Sequence, residues 1–356
     1  MRLRLAHPTK WLLSIALTVI VAVSAAAGPR NVLVVMNASS PDSVTVARYY
    51  MAKRGIAGKY LCKIYCPTEE QIKDDVFSKS IRTPIKQFLV TSGLKDKIDY
   101  IVLTKGIPIR TAEHWGIDSA LTCMFSQYNT RMENPYFNES KHFSHTGYNM
   151  YLVTRLDGLT VADAKSLVDR ALKAKPEKGL FLLDVSPNWD NASPGYKMVN
   201  DAIRSANGQL KRDGFRVELD QTKDFIVRAG LMGYYSWGSN DQSYSQESFN
   251  KLRFVPGSIA ELAQSTSAYT LTSKRMLTGK RSYITDLVAQ GVTGVKGYVY
   301  EPYTPALAHA DILFDRYTHG CNLAEGFYAA SNYVHWRDIV LGDPLCAPYA
   351  KGGNRE

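Results

Sequence analysis

The chain has 356 residues, with 43 Lys and Arg against 33 Asp and Glu and a formal net charge of +10. That length gives one large or two ordinary α/β units with a real core. The cations are dispersed and no nucleic-acid module is present, so the charge reads as a solvated surface and excludes a nucleic-acid partner.

The first residues read as an export signal. Arg2, Arg4 and Lys10 supply positive charge, Trp11 to Val23 is apolar except for Ser14 and Thr18, and Ala25 to Ala27 offers small residues to a peptidase. The expectation is a signal peptide over 1–27 and a periplasmic or extracellular protein, with an uncleaved N-terminal membrane anchor as the alternative. No later stretch is long and apolar enough to span a bilayer, so no membrane contact is expected after cleavage.

Asn31 to Asn37 is a continuous apolar run, the pattern of a strand buried on both faces. A helical pattern from Val44 to Arg54 stops at Gly55, and further strands are read at Tyr60 to Tyr65 and Tyr100 to Thr104, with a helix from Ile81 to Ser92 between them. This alternation is the grammar of a parallel sheet with right-handed crossovers. Thr111 to Gly147 breaks the rhythm and holds His114, Asp118, His142 and His145, whose spacings match no standard ligand set. Asp118 is the carboxylate of interest there.

Tyr151 to Asp157 is another strand, followed by a helix from Val161 to Lys173 capped by Thr160. Leu180 to Val185 is a strand ending at Asp184, and the turn-rich Pro187 to Pro194 sets the expected boundary between an N-terminal unit, 28–187, and a C-terminal unit, 188–356. A helix over Tyr196 to Arg212 and a short strand over Arg216 to Leu219 follow. The run from Gly230 reaches Tyr235 and then breaks into Ser236, Trp237, Gly238, Ser239, Asn240 and Asp241, as a buried strand does when it delivers polar groups to a sheet edge. In open α/β sheets ligands bind at that carboxyl edge. Phe254 to Ala263 leads into a hydroxyl cluster at Ser265 to Ser267, and a strand over Val295 to Val299 runs into Tyr300, Glu301, Pro302 and Tyr303. Late helices over Ala306 to Tyr317 and Asn322 to Ala330 precede a closing turn, Gly342-Asp-Pro-Leu345, whose Asp343 is read as accepting backbone N–H groups.

The five cysteines are an odd number for an exported chain. Cys62 and Cys66 would lie about 13 Å apart along a strand, too far to bridge. Cys321 to Cys346 is a possible bridge, and buried free thiols are the other reading; no cofactor or metal is expected.

In their order, five landmarks resemble the gingipain-type cysteine peptidases of the caspase-like clan. They are Val153-Thr-Arg-Leu-Asp-Gly-Leu-Thr160, Ser236-Trp-Gly-Ser239, Gln264-Ser-Thr-Ser-Ala268, the helix and glycine-rich strand from Asp286 to Val295, and Gly342-Asp-Pro-Leu345. The set is more similar still to a family of exported bacterial proteins on the same plan. The resemblance implies an α/β fold of two adjacent three-layer αβα halves with largely parallel sheets, the second half caspase-like. It also implies a departure from the family's dyad. Trp237 stands where the family has a basic His, and an indole nitrogen only donates. Ser265 to Ser267 stands where the nucleophilic Cys would be, and neither His nor Cys occurs between His145 and His309.

Two function classes follow. One is a catalytically degenerate relative that binds a peptide, glycan or protein in the cleft through Tyr235, Ser236, Trp237, Ser239, Asn240, Tyr300 and Tyr303. The other is a hydrolase whose carboxylates Asp118, Asp241 and Glu301 meet and split their pKa values, or which uses Ser267 as nucleophile. A close approach of two carboxylates with no basic partner would favour the hydrolase.

Overall fold

The apolar runs form strands that are buried along their whole length. The computed structural model describes residues 27–126, 130–176, 179–273 and 281–350, so the expected leader over 1–27 lies almost wholly outside the described residues. The main strands are β1 (Val32–Asn37), β2 (Leu61–Ile64), β3 (Tyr100–Thr104), β4 (Leu152–Leu156), β5 (Leu180–Asp184), β6 (Arg216–Asp220), β7 (Leu231–Ser236), β8 (Phe254–Leu262), β9 (Gly294–Tyr298) and β10 (Asp338–Gly342). The main helices are α1 (Pro41–Arg54), α2 (Thr83–Thr91), α3 (Ile117–Thr122), α4 (Val161–Leu172), α5 (Pro194–Arg212), α6 (Ile284–Ala289), α7 (Ala310–Thr318) and α8 (Leu323–Ala329). Every residue of β1, β3, β4, β7, β9 and β10 is buried, which requires cover on both faces of the sheet.

The fold class is α/β, as expected, and its ten strands form one mostly parallel sheet in the order β2-β1-β3-β4-β10-β9-β8-β7-β5-β6. Two parallel blocks meet at one antiparallel pair, β9 with β10, while β10 runs parallel to β4. The carboxyl ends of β1, β3 and β4 therefore point to the opposite end of the sheet from those of β5, β7, β8 and β9. The units expected to divide at 187 share this sheet. β5 precedes that boundary yet pairs with β6 and β7 in the second block, so the chain crosses between blocks after β4.

At the seam, Gly294 faces Gly342 across the antiparallel pair. A Cβ on either glycine would collide with the end of Leu323, so the two glycines make the hollow in which α8 seats that side chain. Fully buried Lys296 crosses the same seam, bonding Ser331 Oγ at 2.7 Å and lying 3.5 Å from the Asp338 carboxylate, which also accepts from Ser119 of α3 at 2.9 Å. The closing turn is structural in a wider sense than its sequence indicated. Asp343 accepts the Leu345 N–H, and it also holds Tyr50 and Arg54 of α1, at 2.9 and 2.7 Å.

Gly294→Ala forces Leu323 out of its hollow and is expected to lower stability by about 1–3 kcal/mol. Denaturant titration followed by circular dichroism measures this, and in a chain already carrying Leu323→Ala the added cost of Gly294→Ala is expected to shrink, the two changes being non-additive.

Candidate functional site

The carboxyl ends of β7, β8 and β9 enclose a cleft of about 150 Å³. β7 delivers Trp237, then turns tightly through Gly238 to Asn240. Trp237 is 2% exposed, and its indole N–H donates to Asn200 Oδ1 of α5 at 2.7 Å. Its ring packs perpendicular to Tyr196 at 5.7 Å and against Trp189 at 5.6 Å, so three aromatic rings make one wall.

Gln264, just after β8, forms the floor. Gly238 sits at φ +53°, and a Cβ there would run into Ser282 Oγ and Gln264 Oε1. Its absence lets Gln264 Oε1 accept the Ser239 N–H at 3.1 Å as well as the Ser282 hydroxyl. Gln264 Nε2 is buried, with no acceptor among the described residues. Asn240 Nδ2 ties the β7 turn to the Ala263 carbonyl at 3.0 Å.

The loop after β9 forms the rim. Glu301 is exposed, and its Oε1 accepts the Tyr303 N–H at 3.0 Å. Tyr303 is held at φ +63°, a conformation rare for a residue with a side chain. Trp336 donates to the Pro302 carbonyl at 2.9 Å, Arg337 lies over the Tyr300 ring, and His114 stacks flat on the other side of that rim at 3.8 Å from Tyr300.

The cleft thus brings together Trp237, Asn240, Glu301 and Tyr303 from the sequence-derived set. Other members lie elsewhere. Asp118 is buried in α3 and is held bidentately by Arg155, with Nη2 to Oδ1 at 2.6 Å; burial raises its pKa and Arg155 opposes that rise. This basic partner removes it from any carboxylate pair with Glu301. Asp241 caps its own turn through the Ser243 N–H at 2.7 Å and does not line the cleft. Ser267 is fully buried and accepts the Tyr298 N–H at 3.2 Å, tying the turn after β8 to the end of β9, and no histidine is hydrogen-bonded to it among the described residues. Tyr235 is core, its hydroxyl donating to the Ala308 carbonyl at 2.6 Å. Ser236 is also fully buried, donating to Asp184 Oδ2 at 2.7 Å and accepting the Gly238 N–H. Ser239 takes part through its backbone N–H, and Tyr300 stiffens the rim by stacking.

Sequence reasoning missed Trp189, Tyr196 and the role of Gln264, which carry no motif. It also missed that Asp241 is grouped not with Glu301 but with Asp184 and Asp220, at the ends of β5 and β6. Burial pushes the Asp184 pKa up to about 7; the Ser236 hydrogen bond opposes the rise, and the Asp241 and Asp220 charges add to it. Its only signal was an Asp closing each apolar run. All five cysteines are free and buried, and burial pushes each thiol up to about 12, far from a thiolate at neutral pH. Among the described residues no hydroxyl or thiol is hydrogen-bonded to a histidine, and no group of three or more His, Cys, Asp or Glu is placed to hold a metal.

No family model matches the chain, and no curated protein matches it. A solved structure titled "Structure of Protease" aligns at 12% identity over 90% of this chain and 78% of its own, with a TM-score of 0.48.

The Asp184 carboxyl ionises near 4 in the unfolded chain and near 7 in the fold, so its contribution to stability is complete below the lower value and is lost as pH rises through the higher one. Asp184→Asn removes this loss. Between pH 5 and 8 the native chain is expected to lose on the order of 2 kcal/mol more than the variant, read from denaturation midpoints at each pH.

Proposed function

We propose that this is an exported binding protein that holds a small neutral group of a peptide or glycan in the cleft at the ends of β7, β8 and β9, without nucleophilic catalysis. The leader read from residues 1–27 supports export. The observation that carries the rest is Trp237. A residue at the position of the expected base instead closes the cleft as an aromatic wall, its only polar hydrogen committed to Asn200. A general base needs a lone pair within reach of the proton it removes, and indole has none to offer. Among the described residues Glu301 is the one charged side chain lining the cleft, which fits a ligand held by stacking and hydrogen bonds.

The hydrolase alternative loses its support with its geometry. Asp118 is paired with Arg155, Asp241 caps its own turn, and Ser267 is fully buried with its oxygen accepting the Tyr298 N–H.

The test is turnover and binding on the same preparation. Fluorescent casein and a panel of nitrophenyl glycosides are expected to give no product above a heat-inactivated control. Tryptophan fluorescence is expected to respond saturably to members of a peptide and oligosaccharide panel, with Tyr196→Ala weakening that response about tenfold. Steady turnover abolished by Glu301→Gln with Asp241→Asn would overturn the proposal.

A further inference from the structure

The cleft's hydrogen-bonding capacity narrows the ligand further, on the assumption that the binding reading holds. The Ser239 backbone N–H is shared between Gln264 Oε1 at 3.1 Å and Ser282 Oγ at 3.0 Å, and the Ser282 hydroxyl also donates to Oε1. With the carbonyl oxygen so engaged, the NH₂ end of Gln264 is the one left over. Gln264 is 1% exposed and lines the cleft, and its Nε2 has no acceptor among the described residues. A buried donor without a partner is a standing penalty that an incoming carbonyl oxygen removes, and a ligand without that oxygen leaves the penalty in place.

A second polar group stands at the rim. Glu301 gives one carboxylate oxygen to the Tyr303 N–H, and its other oxygen has no protein partner among the described residues, so it can accept an N–H or O–H from the ligand. Between floor and rim lie the rings of Trp237, Tyr196 and Trp189, with Leu307. The ligand must therefore offer an acceptor, a donor and an apolar face within one compact unit. Among the described residues no Lys or Arg lines the cleft, so none of them would pair with a negative charge on the ligand.

We propose that the cleft recognises the acetamido group of an N-acetylated amino sugar, its carbonyl on Gln264 Nε2, its N–H or a neighbouring hydroxyl on Glu301, and its methyl and ring face against the aromatic wall. An extended peptide also contains amides, but it binds α/β sheets most readily by adding to a sheet edge. The edges here are β2 and β6, whereas the cleft lies at the ends of the inner strands β7, β8 and β9. A cleft of about 150 Å³ holds one such group and leaves the repeated backbone amides of a peptide unmatched. Aromatic side chains beside a few fixed polar groups suit the alternating C–H and O–H surface of a sugar ring.

The test compares two trisaccharides of the same linkage, chitotriose with three acetamido groups and cellotriose with hydroxyls in their place, by calorimetry and tryptophan fluorescence on the full protein. Chitotriose is expected to bind saturably, and cellotriose at least about tenfold more weakly. Gln264→Glu keeps the acceptor for Ser239 but replaces the Nε2 donor with an oxygen. It is expected to bring the two sugars to within about twofold at pH 8, with an unchanged circular dichroism spectrum. Equal binding of the two sugars by the native protein overturns the acetamido assignment, as does saturable binding of a tryptic peptide pool that chitotriose fails to displace; in both cases the cleft still binds and the broader reading survives. No binding of either sugar or of the peptide pool overturns both.

Discussion

The antiparallel pairing of β9 with β10 is the constraint on which the rest of this structure depends. It joins two parallel blocks into one sheet, and because the blocks run in opposite senses it sends their carboxyl edges to opposite ends. The facing glycines 294 and 342 allow Leu323 to close the seam, and Lys296 with Asp338 places a charged pair inside it. A pair so buried costs desolvation and persists only with further hydrogen bonds, which Ser331 and Ser119 supply. The consequence is that the first block's loop edge, with Lys105 and Asp157 paired at 3.1 Å, opens into a separate crevice of about 320 Å³, and it reaches the second block's cleft only at the rim, where His114 stacks on Tyr300.

Around that cleft the polar groups are mostly committed to the protein itself. The Trp237 N–H is taken by Asn200, the Ser236 hydroxyl by Asp184 and the Ser267 oxygen by Tyr298, and each tie also fixes the backbone of a strand end. This is the chemistry of a rigid frame. The polar groups left to a ligand among the described residues include the Gln264 amide on the floor, the half-exposed Ser265 and the Glu301 carboxylate on the rim, beside an aromatic wall. Among the described residues this set holds no thiolate and no hydroxyl hydrogen-bonded to a histidine, which suits the proposed binding role.

The strand ends were legible because β1, β3 and β7 are largely continuous apolar runs, and a run buried on both faces has no periodicity to confuse. The helix α4 was legible for the opposite reason, an amphipathic face behind the Thr160 cap, which closes a capping box with Asp163. The α3 helix was not, because Ile117 to Thr122 is buried all round and shows no stripe in sequence. Sheet order was beyond reach as well. Nothing local in Leu180–Asp184 says that it pairs with β7, and nothing in Asp338–Gly342 says that it inserts beside β4. At the site, sequence placed Trp237, Asn240, Glu301 and Tyr303 near one edge, but it could not tell which polar side chain at a strand end turns inward. Ser267 and Asp118 turn inward, and tertiary hydrogen bonds decide that.

The most direct check of the central claim, that the cleft holds a ligand and carries no activated nucleophile, is the intact mass of the native protein after exposure to a fluorophosphonate and, separately, to iodoacetamide. Buried thiols raised to about 12, and no hydroxyl hydrogen-bonded to a histidine among the described residues, predict no adduct from either reagent until the protein is unfolded, when all five cysteines alkylate. A stoichiometric adduct on Ser265, Ser267 or any cysteine of the folded chain would contradict the account.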